Sequence, residues 1–413
     1  MFLRSFKFFT AVLLMLVLAA CGGGSSAPAA TGTTAVATES TVTVSWDMSP
    51  GVEYWLFYGQ SSLMPTDTNT MANWIHAGSV VAMKVSSPYV VTGLTNGVSY
   101  SFSVDGRIDG GPAGPGTTPV IATPTIAGST WSAGTSTGTN ALKSVVFGTS
   151  YVAAADNGAL FSSADGASWS AITTTGISLS SRTLKGGTYF SGYALVGDTG
   201  LVLTSSDAAT WTEQTTAKSA ANSANLNAIT SNYSNLYVAV GDSGTIITSP
   251  DGASWTARTS TTKQPLYAVT YSSYNVGTNT GGTWVAVGAA GTLLESPDGL
   301  TWALVTLSGI SADLRGITYG NGAFVAVGTS GTVLSSTDGV AWTSRTIPAA
   351  ADLKAVTYGT QFVTVGSGGN IFTSTDGVTW TTRNSSGLDL FAVARGTLTY
   401  SAVGAAGTNL LAK

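Results

Sequence analysis

The chain has 413 residues and a formal charge of −4, with charged side chains forming 9 per cent of it, well under the quarter usual in globular proteins. A charge-poor, slightly acidic surface excludes nucleic acid as a partner, because phosphate recognition needs a basic face, and a lone cysteine, Cys21, excludes an intramolecular disulfide. Low charge with abundant Gly, Ser and Thr is also a mark of disorder, but eleven Trp and a regular apolar alternation supply the surface that a folded core needs.

The first 20 residues read as a targeting segment. Arg4 and Lys7 precede the apolar stretch Phe8 to Leu18, which is too short to span a bilayer comfortably and has the form of a signal peptide. It ends in Leu18-Ala19-Ala20-Cys21, which resembles the lipobox of bacterial lipoproteins. The resemblance implies cleavage before Cys21 and acylation of that residue. Because Gly22 rather than Asp follows, it also implies export to the outer membrane of the cell envelope. Each acyl chain contributes about 0.8 kcal/mol per buried CH₂. Residues 21–37, rich in Gly, Ser, Ala, Pro and Thr without periodicity, are predicted to be a flexible tether.

Residues 38–124 change character. Thr41 to Trp46 alternates, as does Tyr100 to Val104, and both runs are bounded by Gly, Pro and Asn. Val44-Ser45-Trp46 and Gly93-Leu94-Thr95-Asn96-Gly97-Val98-Ser99-Tyr100 resemble the second strand and the tyrosine corner of a fibronectin type III domain. The resemblance implies an immunoglobulin-like sandwich in which the Tyr100 hydroxyl bonds to nearby backbone. Between them, Ser61 to Val80 is the least readable stretch; it holds His76, the only histidine, to which no role is assigned.

From 127 to 413 the chain repeats one sentence. Its clearest copy is Leu314 to Arg345: a Leu-led run, an aromatic-V-A-V-G run, a G-T-apolar-apolar run, then S-x-D-G-x-x-W-T. Leading leucines fall at Leu142, Leu184, Leu226, Leu266, Leu314, Leu353 and Leu390, but the D-G-x-x-W type of segment follows only six of them, at spacings of about 38 to 47 residues, the blade length of four-stranded propeller repeats. Upstream, Ser129-Thr130-Trp131-Ser132 is a fourth strand without a first three. Three strands from the C-terminal end and this one make the missing set, which closes a ring and removes exposed sheet edges. The expected fold is all-β, a sandwich followed by a seven-bladed β-propeller closed by its N- and C-terminal strands.

The S-x-D-G-x-x-W segment resembles the Asp-box of sialidase and sortilin-type propellers. A shortened box of this kind also marks propellers similar to the photosystem II assembly factor family. Its aspartates, Asp165, Asp207, Asp251, Asp298, Asp338 and Asp376, precede the outermost strand, where a side-chain bond to backbone stabilises a turn. Three strand spacings of ~4.8 Å put them roughly 14 Å outside the innermost strand, so they cannot converge on one substrate. Arg258, Arg345 and Arg383, each three after a Trp, are likewise outer-strand residues. The tryptophans are expected to pack between blades.

A ring scaffold carries recognition where equivalent positions differ in chemistry. The residue after each leading Leu is Lys143, Lys185, Asn227, Tyr267, Arg315, Lys354 or Phe391, and Asp313, Asp352 and Asp389 precede three of the leucines. The hairpins of the first three copies add Asp156, Asp198 and Asp242. This face is the candidate binding surface; the alternative is solvated loop charge. It also carries the connection Thr215 to Asn225, while the insertion Ser272 to Gly282 falls on the opposite face. Catalysis lacks parts: there is no histidine in the repeats, no metal-ligand spacing, and no cofactor motif or nucleophile elbow. A glycosidase needs only two carboxylates, for which Glu213 and Glu295 depart from the repeat. The reading is a non-catalytic, monomeric envelope protein, held to the membrane through acylated Cys21, that presents a propeller face to a protein or glycan. The alternative is a glycoside hydrolase or an envelope assembly factor working at the channel mouth.

Overall fold

The computed structural model describes residues 25–66, 71–174, 177–272, 282–383 and 386–412; the targeting segment, Cys21 and residues 273–281 of the expected insertion lie outside them. The chain divides into two compact units, Met1–Ile126 and Ala127–Lys413.

In the first unit the strands are β1 (Thr34–Thr38), β2 (Thr41–Ser45), β3 (Val52–Gln60), β4 (Val80–Ala82), β5 (Tyr89–Val91), β6 (Tyr100–Ile108) and β7 (Val120–Ala122). They form two antiparallel sheets, in the orders β1-β2-β5 and β4-β3-β6-β7. Period-two alternation decides which side chains meet. Val42 and Val44 of β2 and Phe102 and Val104 of β6 are fully buried with Trp46 and Leu56 in one cluster, while the intervening threonines of β2 are half-buried. The Tyr100 hydroxyl accepts a hydrogen bond from the Thr95 N–H at 3.1 Å, the corner bond expected of it.

One reading of this unit needs correction, and one unread stretch gains a structure. Residues 25–37 are not a free tether: β1 pairs with β2 from Thr34 to Thr38, Ala27 is buried, and the Ser25 carbonyl accepts from the Ile108 N–H at 3.0 Å. Composition misleads here because an edge strand of small residues needs only backbone pairing, not large side chains. Ser61 to Val80, opaque as sequence, contains helix α1 (Met71–His76), whose Met71 and Trp74 pack with Trp55 and Phe57 on the second face of β3. β6 is buried along nearly its whole length, and the segment after it bonds back to it, Thr117 to Ser103 and Val104 and Gly114 to Gly106. β6 also carries a buried ion pair: Arg107 meets Asp105 at 3.3 Å with side-chain exposures of 4 and 0 per cent, and its guanidinium lies 3.6 Å from the Trp55 ring centre. Desolvation pushes the Asp105 carboxyl up to about 7 against the opposing pull of Arg107. His76 is exposed at the end of α1, its Nδ1 2.8 Å from the Ala72 carbonyl oxygen.

The second unit begins with β8 (Trp131–Ala133), and its first complete sheet is β9 (Leu142–Phe147), β10 (Tyr151–Ala155), β11 (Leu160–Ser163) and β12 (Ser170–Ile172). Among the described residues this unit forms seven four-stranded antiparallel sheets, six of them from consecutive strands. The other joins Leu390–Arg395, Tyr400–Gly404 and Asn409–Ala412 to β8, with Ala412 opposite Trp131 and Leu410 opposite Ala133. Sheets stack through apolar clusters, such as Val152, Leu195 and Trp211 between the first and second. Leu142, Tyr151 and Val403 form the corresponding cluster between the first and the last. One tyrosine relation recurs with them. The hydroxyls of Tyr193, Tyr237 and Tyr400 donate to carbonyls of the preceding sheet, Ser150 at 2.8 Å, Phe190 at 2.6 Å and Gln361 at 2.8 Å. Tyr151 of the first sheet donates in the same way to Thr399 of the last at 2.9 Å.

Candidate functional site

The first strand of every sheet in the second unit breaks register at its second residue. In the fifth sheet Leu314 lies opposite Gly328 and Gly316 opposite Val327, which leaves Arg315 as the extra residue of a β-bulge. The same shift follows Leu142, Leu184, Leu226, Leu266, Leu353 and Leu390. The bulged residues are therefore Lys143, Lys185, Asn227, Tyr267, Arg315, Lys354 and Phe391, the seven singled out by their chemical variety. A bulge re-aims its extra side chain, and all seven line one cavity of about 200 Å³ between the first strands.

Small residues come next, for a steric reason. A Cβ added to Gly186 would lie 2.8 Å from the Ala228 Cα, and one added to Gly316 would lie 3.1 Å from the Ala355 Cα. Neighbouring strands are thus too close at this depth for large side chains, and the free volume belongs to the bulged ones. Below them Val145, Ile229, Val269 and Ile317 line both this cavity and a second one of about 530 Å³, forming an apolar collar between the two.

At the rim, cations and rings pair across sheets. The Nζ atoms of Lys143 and Lys354 lie 4.1 and 4.9 Å from the Phe391 ring centre, and the Arg315 guanidinium lies 4.3 Å from that of Tyr267, the range of cation–π attraction. Carboxylates pair with Lys185 and with two of these cations: Lys185 with Asp198 at 3.0 Å, Arg315 with Asp313 at 2.7 Å and Lys354 with Asp389 at 3.1 Å. Asn227 donates to Asp242 Oδ1 and to the Leu266 carbonyl, both at 2.9 Å. The Gly368 N–H and then Lys354 hold the Asp389 carboxyl below the usual range. Burial pushes Asp198 up, but the Thr183 N–H and Lys185 outweigh it and its carboxyl also ends low. Counting Asp156 and Asp352, the loops of this mouth bring six aspartates to four cations, so the rim is a mixed ring of ion pairs and aromatic faces rather than a basic patch.

Three of these aspartates have a second task that spacing alone does not disclose. Asp313 Oδ1 accepts from the Ala290 N–H at 3.0 Å, Asp352 Oδ1 from Ser330 at 2.8 Å and Asp389 Oδ1 from Gly368 at 2.8 Å. Each donor is a left-handed residue in the hairpin of the preceding sheet, as Ser330 shows with φ 55° and ψ 31°. A side-chain acceptor there offsets part of the cost of that backbone. The two glycines of this hairpin, Gly328 and Gly331, serve different ends. Gly328 has φ −162°, an extended conformation; it is needed because a Cβ would lie 2.0 Å from the Asp313 carbonyl oxygen. The left-handed pair is Ser330 with Gly331 at φ 71°, a type I′ turn.

The box aspartates stay outside the channel, each closing its own turn. Asp338 Oδ1 accepts from the N–H groups of Val340 and Ala341 and from the Ser336 hydroxyl at 2.8 to 2.9 Å, and Asp165, Asp207, Asp251, Asp298 and Asp376 repeat the pattern. Backbone N–H groups, Thr210 then Ala209 for one and Ser254 then Ala253 for the other, lower Asp207 and Asp251 to about 2. The indoles of Trp169, Trp211, Trp255, Trp302 and Trp342 donate to the carbonyl three residues before them. Trp131 does the same to Gly128 at 2.8 Å. Arg258, Arg345 and Arg383 bond through Nε to Thr248, Ser335 and Thr373 of the neighbouring strand. Glu213 is held by Arg182 through two bonds of 3.0 and 3.1 Å, and Glu295 sits in a different sheet, so the geometry does not assemble them as a pair. Burial pushes the Glu295 carboxyl up, with Asp298 adding to it.

No family model matches the chain, and no curated protein is similar to it in sequence. Its similarity is to solved structures. A structure of YCF48 bound to a D1 peptide is 15% identical with a TM-score of 0.56, covering 68% of this chain and 94% of that one. YCF48 from Cyanidioschyzon merolae is 16% identical with a TM-score of 0.53, covering 68% and 98%. A catalytically inactive virginiamycin B lyase from Staphylococcus aureus with quinupristin is 10% identical with a TM-score of 0.55, again covering 68% and 98%. At these identities the likeness shows the fold alone: an all-β chain of four-stranded antiparallel sheets with a β-propeller.

Proposed function

We propose that this chain is a lipid-anchored protein of a bacterial cell envelope, carried to the outer membrane through Cys21, that binds a protein or glycan without catalysis. Its second unit is a seven-bladed propeller whose C-terminal strands take β8 to complete the circle. The first unit is a fibronectin type III-like spacer, and its folded residues 25–37 shorten the tether to a few residues after Cys21. Two features support the closed ring: the β8 pairing with Asn409–Ala412 and the Tyr151 bond to Thr399, which repeats the bond between internal neighbours. The three-on-four sheet arrangement and the Tyr100 corner bond support the spacer.

One observation carries the binding reading: seven chemically different side chains occupy the seven bulges and line one cavity. A purely structural ring would repeat one residue type there, as it repeats small residues one position later. A protein or peptide partner finds support in the similar YCF48 structure that holds a D1 peptide, and an envelope assembly role follows from the same likeness. Capture from detergent-solubilised native envelope, with a glycan array in parallel, tests the rim. The combined substitution Lys143→Ser, Lys185→Ser, Arg315→Ser and Lys354→Ser should abolish capture with the fold intact, and undiminished capture would dismiss the rim. Separately, Cys21→Ser should move the protein from the membrane to the soluble fraction; a variant that still sediments with membranes removes the lipid anchor.

A further inference from the structure

The second cavity, about 530 Å³ and beyond the collar, differs in chemistry from the rim. Its size falls within that of small-ligand sites. Five repeat-equivalent threonines line it, Thr188, Thr230, Thr270, Thr318 and Thr357, and none of their hydroxyls bonds to another side chain or carbonyl among the described residues. No carboxylate lines it. Arg395 does, but its guanidinium lies 4.7 Å from the Tyr400 ring centre.

Tyr233 departs from the repeat at this mouth. Its side chain lines the same cavity and is 65 per cent exposed, while Phe190 meets its ring edge-on at 6.4 Å. Its φ of 56° is left-handed, a conformation that a bulky side chain adopts only at a cost and that a turn ordinarily gives to Gly or Asn. The equivalent hairpin residues Ser191 and Asn321 share this backbone, with φ of 53° and 45°, so the turn sets the conformation and what sets Tyr233 apart is the ring it carries there. An aromatic face open to solvent, beside a ring of hydroxyls that each donate and accept, matches a ligand with an apolar C–H face and a polyhydroxyl edge.

We propose that this second mouth binds a neutral saccharide, one pyranose stacked on Tyr233 and its hydroxyls bonded to the threonine ring. The site is distinct from the rim, and the two stand or fall separately. The full chain is titrated with cellotriose, maltotriose and chitotriose by calorimetry and saturation-transfer NMR, to concentrations of about 10 mM. At least one should bind with a Kd of about 1 mM or tighter. Tyr233→Gly, which removes the ring and eases the left-handed backbone, should weaken that binding about tenfold or more without lowering Tm. Thr230→Val with Thr270→Val should also weaken it, and the fourfold rim variant should leave it unchanged. No binding by any of the three sugars, or binding that survives Tyr233→Gly, overturns the proposal. Binding lost only in the rim variant overturns it too, and places the sugar at the other mouth.

Discussion

Asp338 illustrates how little of the acidic chemistry here is free to act on a substrate: three hydrogen bonds to its own turn occupy one carboxylate oxygen. Asp338→Ala should lower stability by about 1 kcal/mol, the net value of such bonds near a surface, and an unshifted denaturant midpoint would show that the turn closes without it. The box carboxylates also set an acid limit. Asp207 and Asp251 sit at about 2 in the folded chain, below the usual ~3.9 of an unfolded Asp. The stability they contribute is complete above about pH 4 and is lost as pH falls towards 2. Asp105 runs in the other direction. Its folded value of about 7 lies above the unfolded one, so its neutral form favours the fold at low pH, and that advantage fades as pH rises from about 4 through 7. Asp105→Asn should flatten the pH dependence of melting between about pH 4 and 8; melts that keep the wild-type slope would remove Asp105 as its cause.

At the scale of one sheet, the hairpin after the second strand combines a close approach with a left-handed pair. Gly328→Ala puts a methyl group against the Asp313 carbonyl and should cost about 1–3 kcal/mol, the range for overpacking. The first sheet carries Ala155 at this position, so its local backbone has already made room, and Ala155→Gly should cost far less than Gly328→Ala. Comparable melting shifts for the two would show that the approach is not what selects glycine. The bulge on the facing strand is the other element-scale device. It turns a residue that would continue a ladder into one that faces the channel, and the small residue after it lets neighbouring sheets converge.

For the whole second unit, the decisive contact is between residues far apart in sequence, β8 and Asn409–Ala412. Trp131 adds a ring 6.5 Å from Tyr400, and Gln361 donates to the Ala127 carbonyl at 2.7 Å. Deleting Gly128 to Ala133 would expose the edge of Asn409–Ala412 and unpack that tryptophan. An aromatic side chain of this size contributes about 3–5 kcal/mol when lost from a core, so Tm should fall sharply and self-association should rise through the open edge. A deletion variant that melts and sediments like the intact chain would mean that the sheets do not depend on closure.

What the residue string determined by itself was everything with a period. Seven leading leucines, alternating strands, box turns and the orphan strand at Trp131 are local patterns, and local patterns survive being read in one dimension. The seven rim positions were legible for the same reason, as the one column where chemistry varied. Only the tertiary structure decided the rest. That those residues are bulged depends on register against a second strand, that Asp313, Asp352 and Asp389 tie down a neighbour's hairpin depends on sheets meeting, and that Thr34–Thr38 form an edge strand depends on a partner supplied by β2. The strained Tyr233 and the threonine ring below the collar were invisible because a channel exists only after seven separate strands converge. Such space is created by contacts between distant segments, and no stretch of sequence contains both sides of it.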